Sequence, residues 1–298
     1  MQAHFPRYTI GHFINQPENP TLFEIIPFAE MEEPEVEAVH KHTFYEILWI
    51  DQGRSTQTID YTPYDIGPGS LFFISPHQLH QFEAWHGLQG GSIFFTEAFF
   101  LLHHPNPETL FEMAFLDNLY IQPFIQPDPA TYAEIRHTIS LLLAEKRRTD
   151  PSPTILHALL HIVLARIQRY IQAQAPVVPA PKHLVLYKQF QQEVESHFAA
   201  GLSPRDYAAR LHVTPHHLNR VISMITGKTT GELIRSRSML EARRLLTFTD
   251  YPVSEIAAGL GYLDLSYFAR VFRAETGQAP LAFRQAMSDK YRKPPHSL

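Results

Sequence analysis

Apolar and polar positions follow two different periods along this chain, and the change of period divides it. Between residues 21 and 95 the period is two. Segments 46–50, 56–59, 70–74 and 91–95 have the length and pattern of short strands. Turn signals stand between them at Asp51-Gln52-Gly53, Pro63-Tyr64-Asp65, Gly67-Pro68-Gly69 and Gly90-Gly91. Short strands punctuated this often by Gly and Pro predict a small barrel or jelly roll. From residue 128 the period becomes helical. Ile135, Ile139, Leu142 and Leu143 stripe a helix over 128–148, and Leu156, Leu159, Leu160, Val163 and Ile167 stripe a second over 152–172. These stripes either pack the helix pair against the barrel or form a contact between two copies of the chain.

Pro176, Pro179 and Pro181 lie among small residues and cannot continue a helix, so 173–181 reads as an extended spacer. Beyond it every element has the helical period. A helix over 184–198 opens the region, and Ser203-Pro204 and Thr214-Pro215 each set a capping hydroxyl before a proline, which the first helical position tolerates. Over 253–260 a short helix carries small Ala257 at its buried position, Gly261 supplies a turn, and 263–276 forms a helix that Gly277 ends. The pattern is helix, tight turn, helix, and the steep crossing needs a small residue between the two. Phe268, Val271 and Phe272 face inward, leaving Ser266, Ala269, Arg270 and Arg273 to a partner. The same unit occurs about fifty residues earlier. Ala208, Leu211, His212 and Val213 match Ala257, Leu260, Gly261 and Tyr262. One residue later in register, Leu218, Arg220-Val221-Ile222 and Thr226-Gly227 match Phe268, Arg270-Val271-Phe272 and Thr276-Gly277. Two copies are too few for a solenoid. Between them Thr229 and Glu232 have capping-box spacing, and Leu233, Ile234, Leu240, Leu245 and Leu246 sit among Arg235, Arg237, Arg243 and Arg244. One connecting helix of about twenty residues would span roughly 30 Å, close to the ~34 Å between successive major-groove faces of a duplex.

Charge divides at the same boundary. The 298 residues carry a net -5, but residues 1–181 hold 9 Lys+Arg against 20 Asp+Glu, whereas residues 182–298 hold 16 against 10. Only the second part suits phosphates. The length also exceeds what one core usually organises. There is no cysteine, no apolar run long enough for a bilayer and no basic-then-apolar leader over residues 1–13, which together point to a reducing cytoplasm.

Arg244-Leu245-Leu246, Ser254-Glu255-Ile256-Ala257, Leu260-Gly261-Tyr262, the run from Ser266 to Phe272, Gly277-Gln278-Ala279-Pro280 and Phe283-Arg284 stand in a telling order and spacing. With them, residues 187–287 resemble the DNA-binding domain of the AraC/XylS family of bacterial transcription regulators. The departures are His212 where the family usually has Gly, Ile222-Ser223 where Phe-Lys is common, and Ala279 for the usual Ser before Pro280. Histidine is among the few residues besides Gly that visit the left-handed region, so a turn at His212 stays open. Nearer the start, His40, His42, Glu46 and Gly53 resemble a first cupin motif, and Gly67, Gly69, Pro76 and His80 a second, with Gln78 at the usual Gly position and His80 one residue early. This part is similar to cupin-like sensor domains joined to many members of the same family. The resemblance implies a multidomain α+β chain. Residues 1–175 would be a cupin-like effector-binding and dimerisation domain of β-barrel and helical pair, 176–181 a proline-rich linker, and 182–298 an all-α domain of two helix-turn-helix units joined by a long helix. It implies double-stranded operator DNA, a small-molecule effector, a second copy of the chain and RNA polymerase as partners, and no membrane.

By matched position the resemblance carries groove-facing roles to His216, Asn219 and Arg220 in the first unit and to Leu265, Ser266, Ala269 and Arg270 in the second. Arginine can give guanine two hydrogen bonds and asparagine can do the same for adenine, so Arg220, Arg270 and Asn219 are the expected base readers. An arginine on a phosphate would position the protein and specify nothing. Arg235, Arg237, Arg243, Arg273 and Arg284 are expected on the DNA backbone or in solvent. In the barrel, alternate strand residues share a face, so His40, His42, Phe44 and Glu46 project together, where His80 could join them. Such a nitrogen and oxygen set would suit a divalent metal such as zinc, iron, manganese or nickel. The displaced His80 leaves the reading at no metal, with an effector held instead by His40, His42, Glu46, His80, Tyr45 and Trp49. The alternative function is a metal-dependent cupin oxygenase or isomerase using His40, His42, Glu46 and His80, with the helical part as an adaptor. His157 and His161 have the spacing of helical ligands but no third ligand, and His103-His104 and His216-His217 have no ligand set behind them.

Overall fold

A computed structural model of the chain describes residues 8–32, 36, 39–83, 86–102, 110, 113–116, 122–174 and 180–291. Linker residues 176–179 and the His103-His104 pair lie outside the described residues. The described residues cluster into two compact units, one within Phe5–Val178 and one within Pro179–Leu298.

The first unit holds two single-turn helices, α1 (Ile10–Phe13) and α2 (Glu97–Phe100), and strands β1 (Phe23–Pro27), β2 (Tyr45–Gln52), β3 (Ser55–Ile59), β4 (Thr62–Ile66), β5 (Leu71–Ile74), β6 (His80–Phe82), β7 (Gln89–Phe95) and β8 (Phe124–Ile125). They pair antiparallel as two sheets, β1-β7-β2-β5-β8 and β4-β3-β6. Strand alternation gives β2 two faces. Leu48 and Ile50 meet Ile59 and Ile66 of the smaller sheet in one core. Tyr45, Ile47 and Trp49 point the other way, onto α3 (Pro129–Lys146) and α4 (Pro153–Gln174). Both helical stripes are spent there: Ile135, Ile139, Leu142, Leu156, Leu160, Val163 and Ile167 are buried against that face of the sheet. The stripes therefore pack the barrel rather than join two chains. Pro129 opens α3 after Asp128, whose carboxylate accepts from Ala130 N and Thr131 N.

Two expected turns are not turns. Pro63-Tyr64-Asp65 lies inside β4, and the hairpin reverses at Asp60 and Tyr61, both with positive φ and with Ile59 paired to Thr62. β4 is the edge of its sheet, where a proline costs no ladder bond. Gly90-Gly91 lies inside β7, where a Cβ at Gly91 would sit 2.4 Å from the Trp49 ring, so the strand needs glycine there.

The second unit is helical: α5 (Pro181–His197), α6 (Pro204–Arg210), α7 (Pro215–Thr226), α8 (Thr230–Phe248), α9 (Val253–Gly259), α10 (Leu265–Thr276) and α11 (Pro280–Tyr291). Ser203, Thr214 and Thr229 cap α6, α7 and α8 through their hydroxyls, and Asp264 caps α10. His212 takes the left-handed conformation at φ 55. Gly261, at φ 81, does more than turn: a Cβ there would meet the backbone N of Gly201 at 2.8 Å. Arg235 of α8 is exposed, as expected, but Arg237 is a correction. Arg237 is 4% exposed, donating to Glu195 at 2.6 and 2.8 Å and to Glu241 at 3.3 Å, with its guanidinium over Phe198. Arg244 is buried beside the same Glu241. Arg284 donates to the carbonyls of Leu246 and Tyr251, tying α11 to the end of α8. Arg237, buried against the unit's own acceptors, is withdrawn from any duplex-facing surface.

Candidate functional site

Two sites emerge, one buried in the first unit and one exposed on the second. In the first, His40 and His80 exchange backbone hydrogen bonds at 3.0 and 2.9 Å. The His77 N–H donates to the His42 carbonyl, so the β5–β6 turn brings His80 to the strand side of His42. Glu46 is central: its Oε1 accepts from Ser92 Oγ at 2.9 Å, and its Oε2 lies 3.4 Å from His42 Nε2 and 3.8 Å from His80 Nε2. The Nδ1 of His80 meets the Gln78 carbonyl at 3.0 Å. A carbonyl only accepts, so Nδ1 carries the proton and Nε2 of the neutral ring is left as an acceptor facing Glu46. Burial, and then the neighbouring histidines, hold His42 and His80 well below the usual imidazole range. Burial pushes Glu46 up to about 7, against the opposing hydrogen bond from Ser92. The chamber thus holds neutral imidazoles beside a carboxyl that keeps its proton close to neutrality.

Around this cluster stands an aromatic wall. His42 stacks on Phe44 at 3.9 Å, and Phe13 of the short helix α1 (Ile10–Phe13) touches His40, His42, Phe44 and Phe94. Phe13 had no sequence signal, because α1 is a single turn, too short to show a period. His42, Glu46 and His80 offer ligand atoms within 4.8 Å of one another and, among the described residues, could hold a divalent ion; His40 stands outside that group. The turn that leads into His80 contains His77 at positive φ. Tyr45 and Trp49 are not in this chamber. Their odd positions put them on the opposite face of β2, in the core shared with α3 and α4. His157 and His161, on α4, both meet the Phe100 carbonyl and serve packing.

On the second unit, α7 and α10 each bury an apolar face, with Leu218, Val221 and Ile222 on one and Phe268 and Phe272 on the other. The opposite faces are free. His216 and Arg220 are exposed on α7, as are Leu265, Ser266 and Arg270 on α10, with Ala269 half-buried. Asn219 is the exception among the expected readers. Its Oδ1 accepts from Thr230 N at 3.0 Å and Thr230 Oγ1 at 3.3 Å, so the oxygen needed for a two-point contact with adenine is committed to the start of α8. Arg220 is held by a bond of 3.2 Å to His217 Nδ1, and Arg270 lies 6.0 Å from the ring centre of exposed Tyr267. Tyr267 was legible only as a non-core position three residues before Arg270.

An AraC-like ligand-binding domain matches residues 28–161, and a helix-turn-helix domain matches residues 207–286. The uncharacterized HTH-type transcriptional regulator YfiF of Bacillus subtilis is 25% identical over 257 residues, covering 84% of this chain and 80% of that one. The HTH-type transcriptional activator RhaR of Yersinia pestis is 26% identical over 250 residues, covering 83% and 84%. Among solved structures, the C-terminal domain of AraT, a response regulator from Geobacillus stearothermophilus, is 29% identical over 37% of this chain and 93% of that one, with a TM-score of 0.35. ToxT from Vibrio cholerae covers 89% of this chain and 98% of its own at 14% identity and a TM-score of 0.41. No helix among the described residues is long and apolar enough to cross a membrane. With a ligand-binding domain and then a helix-turn-helix domain of the AraC type matched in that order, and regulators aligned along most of its length, the chain belongs to the AraC family of helix-turn-helix transcription regulators.

Proposed function

We propose that residues 182–298 read operator DNA with α7 and α10 in successive major-groove faces, and that residues 1–175 hold a small-molecule effector in the chamber of His42, Glu46 and His80. The observation that carries the first part is positional. In both units the apolar residues of the reading helix are buried, while an exposed arginine stands at the same place, Arg220 and Arg270. α8, at 19 residues, is roughly 28 Å long, a length that suits carrying the two helices on one face of a duplex. Binding of the full chain to a randomised duplex library tests this. A two-part motif should be enriched, and Arg220→Ala and Arg270→Ala should each relax one part at a cost of about 1 to 3 kcal/mol on the preferred sequence. Equal weakening on all sequences would make both arginines phosphate contacts.

For the chamber, Glu46 supplies the test. Its proton is held to about 7 in the folded unit, so its contribution to stability is present at low pH and lost as pH rises through 7. Glu46→Gln keeps a neutral hydrogen-bonding group and should outlast the wild type by about 3 kcal/mol at pH 8, with the difference vanishing near pH 4.5. An effector bound there should stabilise the wild type and not Glu46→Ala; equal stabilisation of both would move the effector elsewhere.

The homodimer reading shifts to the outer face of the helix pair. Leu141, Ile155 and Ile162 are 46%, 47% and 45% exposed, with Ile155 and Ile162 one heptad apart and Ala158 and Ala165 exposed beside them. Ile155→Asp with Ile162→Asp should convert a dimer into a folded monomer by sedimentation; a wild type monomeric at micromolar concentration removes the idea.

A further inference from the structure

α5 belongs to neither helix-turn-helix unit, yet its first turn lies against the reading helix α7. His183 of α5 stands with its ring centre 6.1 Å from that of His217, and His217 Nδ1 is 3.2 Å from an Arg220 nitrogen. Lys182 is exposed at the same turn. The charges that act on His183 come from Arg220, Lys182 and His217, all of one sign. The acids of α5 are committed further along the helix, Glu193 to Arg210 and His197, and Glu195 to Arg237. Among the described residues Nδ1 of His183 is buried without a hydrogen-bond partner. Four cationic or protonatable groups from two helices thus converge at the N-terminal end of a helix whose outer face is free, and none of the charges acting on His183 is acidic. Like charges gathered this way are tolerated where an anion is to be received.

We propose that Lys182 and His183 of α5, with His217 of α7, form a phosphate clamp for duplex DNA, and that the clamp takes up protons as the DNA docks. This rests on the reading of α7 as a DNA-facing helix and adds a contact from outside both units. The chemistry follows from the geometry. Unbound, His217 Nδ1 accepts from Arg220 and pins the guanidinium, while burial and then the neighbouring cations disfavour a positive charge on His183. A phosphate oxygen reverses that balance: it favours imidazolium on His183 and His217 and gives each N–H an acceptor. Protonated His217 can no longer accept from Arg220, so the arginine is released toward the base edges as the backbone is gripped. Phosphate docking and base reading are then one coupled event.

The test uses the full chain and a mixed-sequence duplex of about 30 base pairs, where backbone contacts dominate. Anisotropy titrations at low salt should show affinity rising about tenfold from pH 8 to pH 6. His183→Asn with His217→Asn should flatten that dependence. His183→Arg, which carries a fixed charge, should bind at pH 8 with an affinity approaching the wild type's at pH 6 and with a reduced pH dependence. Lys182→Ala should lower the slope of log affinity against log salt by about one unit. Wild-type binding whose pH dependence survives in the double variant overturns the clamp while leaving the DNA-facing role of α7 intact. Absence of binding at every pH overturns that role itself.

Discussion

The two helix-turn-helix units repeat down to single hydrogen bonds in one place and part company in another. Both reading helices end on a glycine in the left-handed region, Gly227 at φ 71 and Gly277 at φ 76. In both, the preceding threonine hydroxyl donates one turn back, Thr226 to Ile222 at 2.9 Å and Thr276 to Phe272 at 2.8 Å, and accepts from the residue after the glycine. They diverge at Asn219 and Ala269, which occupy equivalent positions. The next helix begins with Thr230 in the first unit and Pro280 in the second. Thr230 has a buried N–H that needs an acceptor, and Asn219 supplies it; Pro280 has no N–H, so alanine suffices. A position matched to a base reader by family pattern is decided here by a backbone donor in the following helix. The second unit also spends one more residue between turn and cap, and that residue, Leu263, is fully exposed.

The largest expected effect sharpens the contrast in packing. Phe272 sits between Phe268 and Phe283, with ring centres 5.9 and 5.3 Å away, whereas its counterpart Ile222 has no such stack. Phe272→Ala should cost about 3 to 5 kcal/mol in chemical unfolding of the helical unit, and Ile222→Ala less, near 2. The reverse order would mean that the first unit is the stiffer one.

Next in size is the turn glycine. Gly261→Ala combines left-handed strain with a collision against Gly201, and should cost about 2 to 4 kcal/mol. Asn219→Ala should follow at about 1 to 3 kcal/mol, by orphaning the Thr230 N–H. Combining it with Thr230→Pro copies the second unit into the first and removes the donor, so the penalty of Asn219→Ala should largely disappear in that background. If it persists there, Asn219 stabilises the unit by some route other than that hydrogen bond.

Periodicity was enough for the repeat, the caps, the connecting helix and both apolar stripes, because each is local. What it missed depended on neighbours distant in sequence. Pro63 reads as a turn until β4 proves to be an edge, and Gly90-Gly91 reads as a turn until Trp49 proves to need the space. Arg237 reads as a surface cation until Glu195 of α5 and Glu241 take it inward. Tyr45 and Trp49 are a different failure: strand parity alone separates them from His42, Phe44 and Glu46.

The smallest effect concerns His212, the first unit's substitute for Gly261. Its φ of 55 lies where a residue with a Cβ carries a strain of about 1 to 2 kcal/mol, which glycine would relieve. Glycine would also gain freedom in the unfolded chain, offsetting about 0.4 to 1 kcal/mol of that. His212→Gly should therefore stabilise the unit by about 1 kcal/mol or less, visible as a rise of a few degrees in melting temperature. The side chain is exposed, so little packing is lost. Set beside Gly261→Ala, this isolates what the two turns require. The first needs only a tolerated backbone angle, while the second needs that angle and the empty space beside Gly201. A His212→Gly variant less stable than the wild type by 1 kcal/mol or more would mean that the imidazole itself holds the first turn, and the units would differ in their turns for a reason other than space.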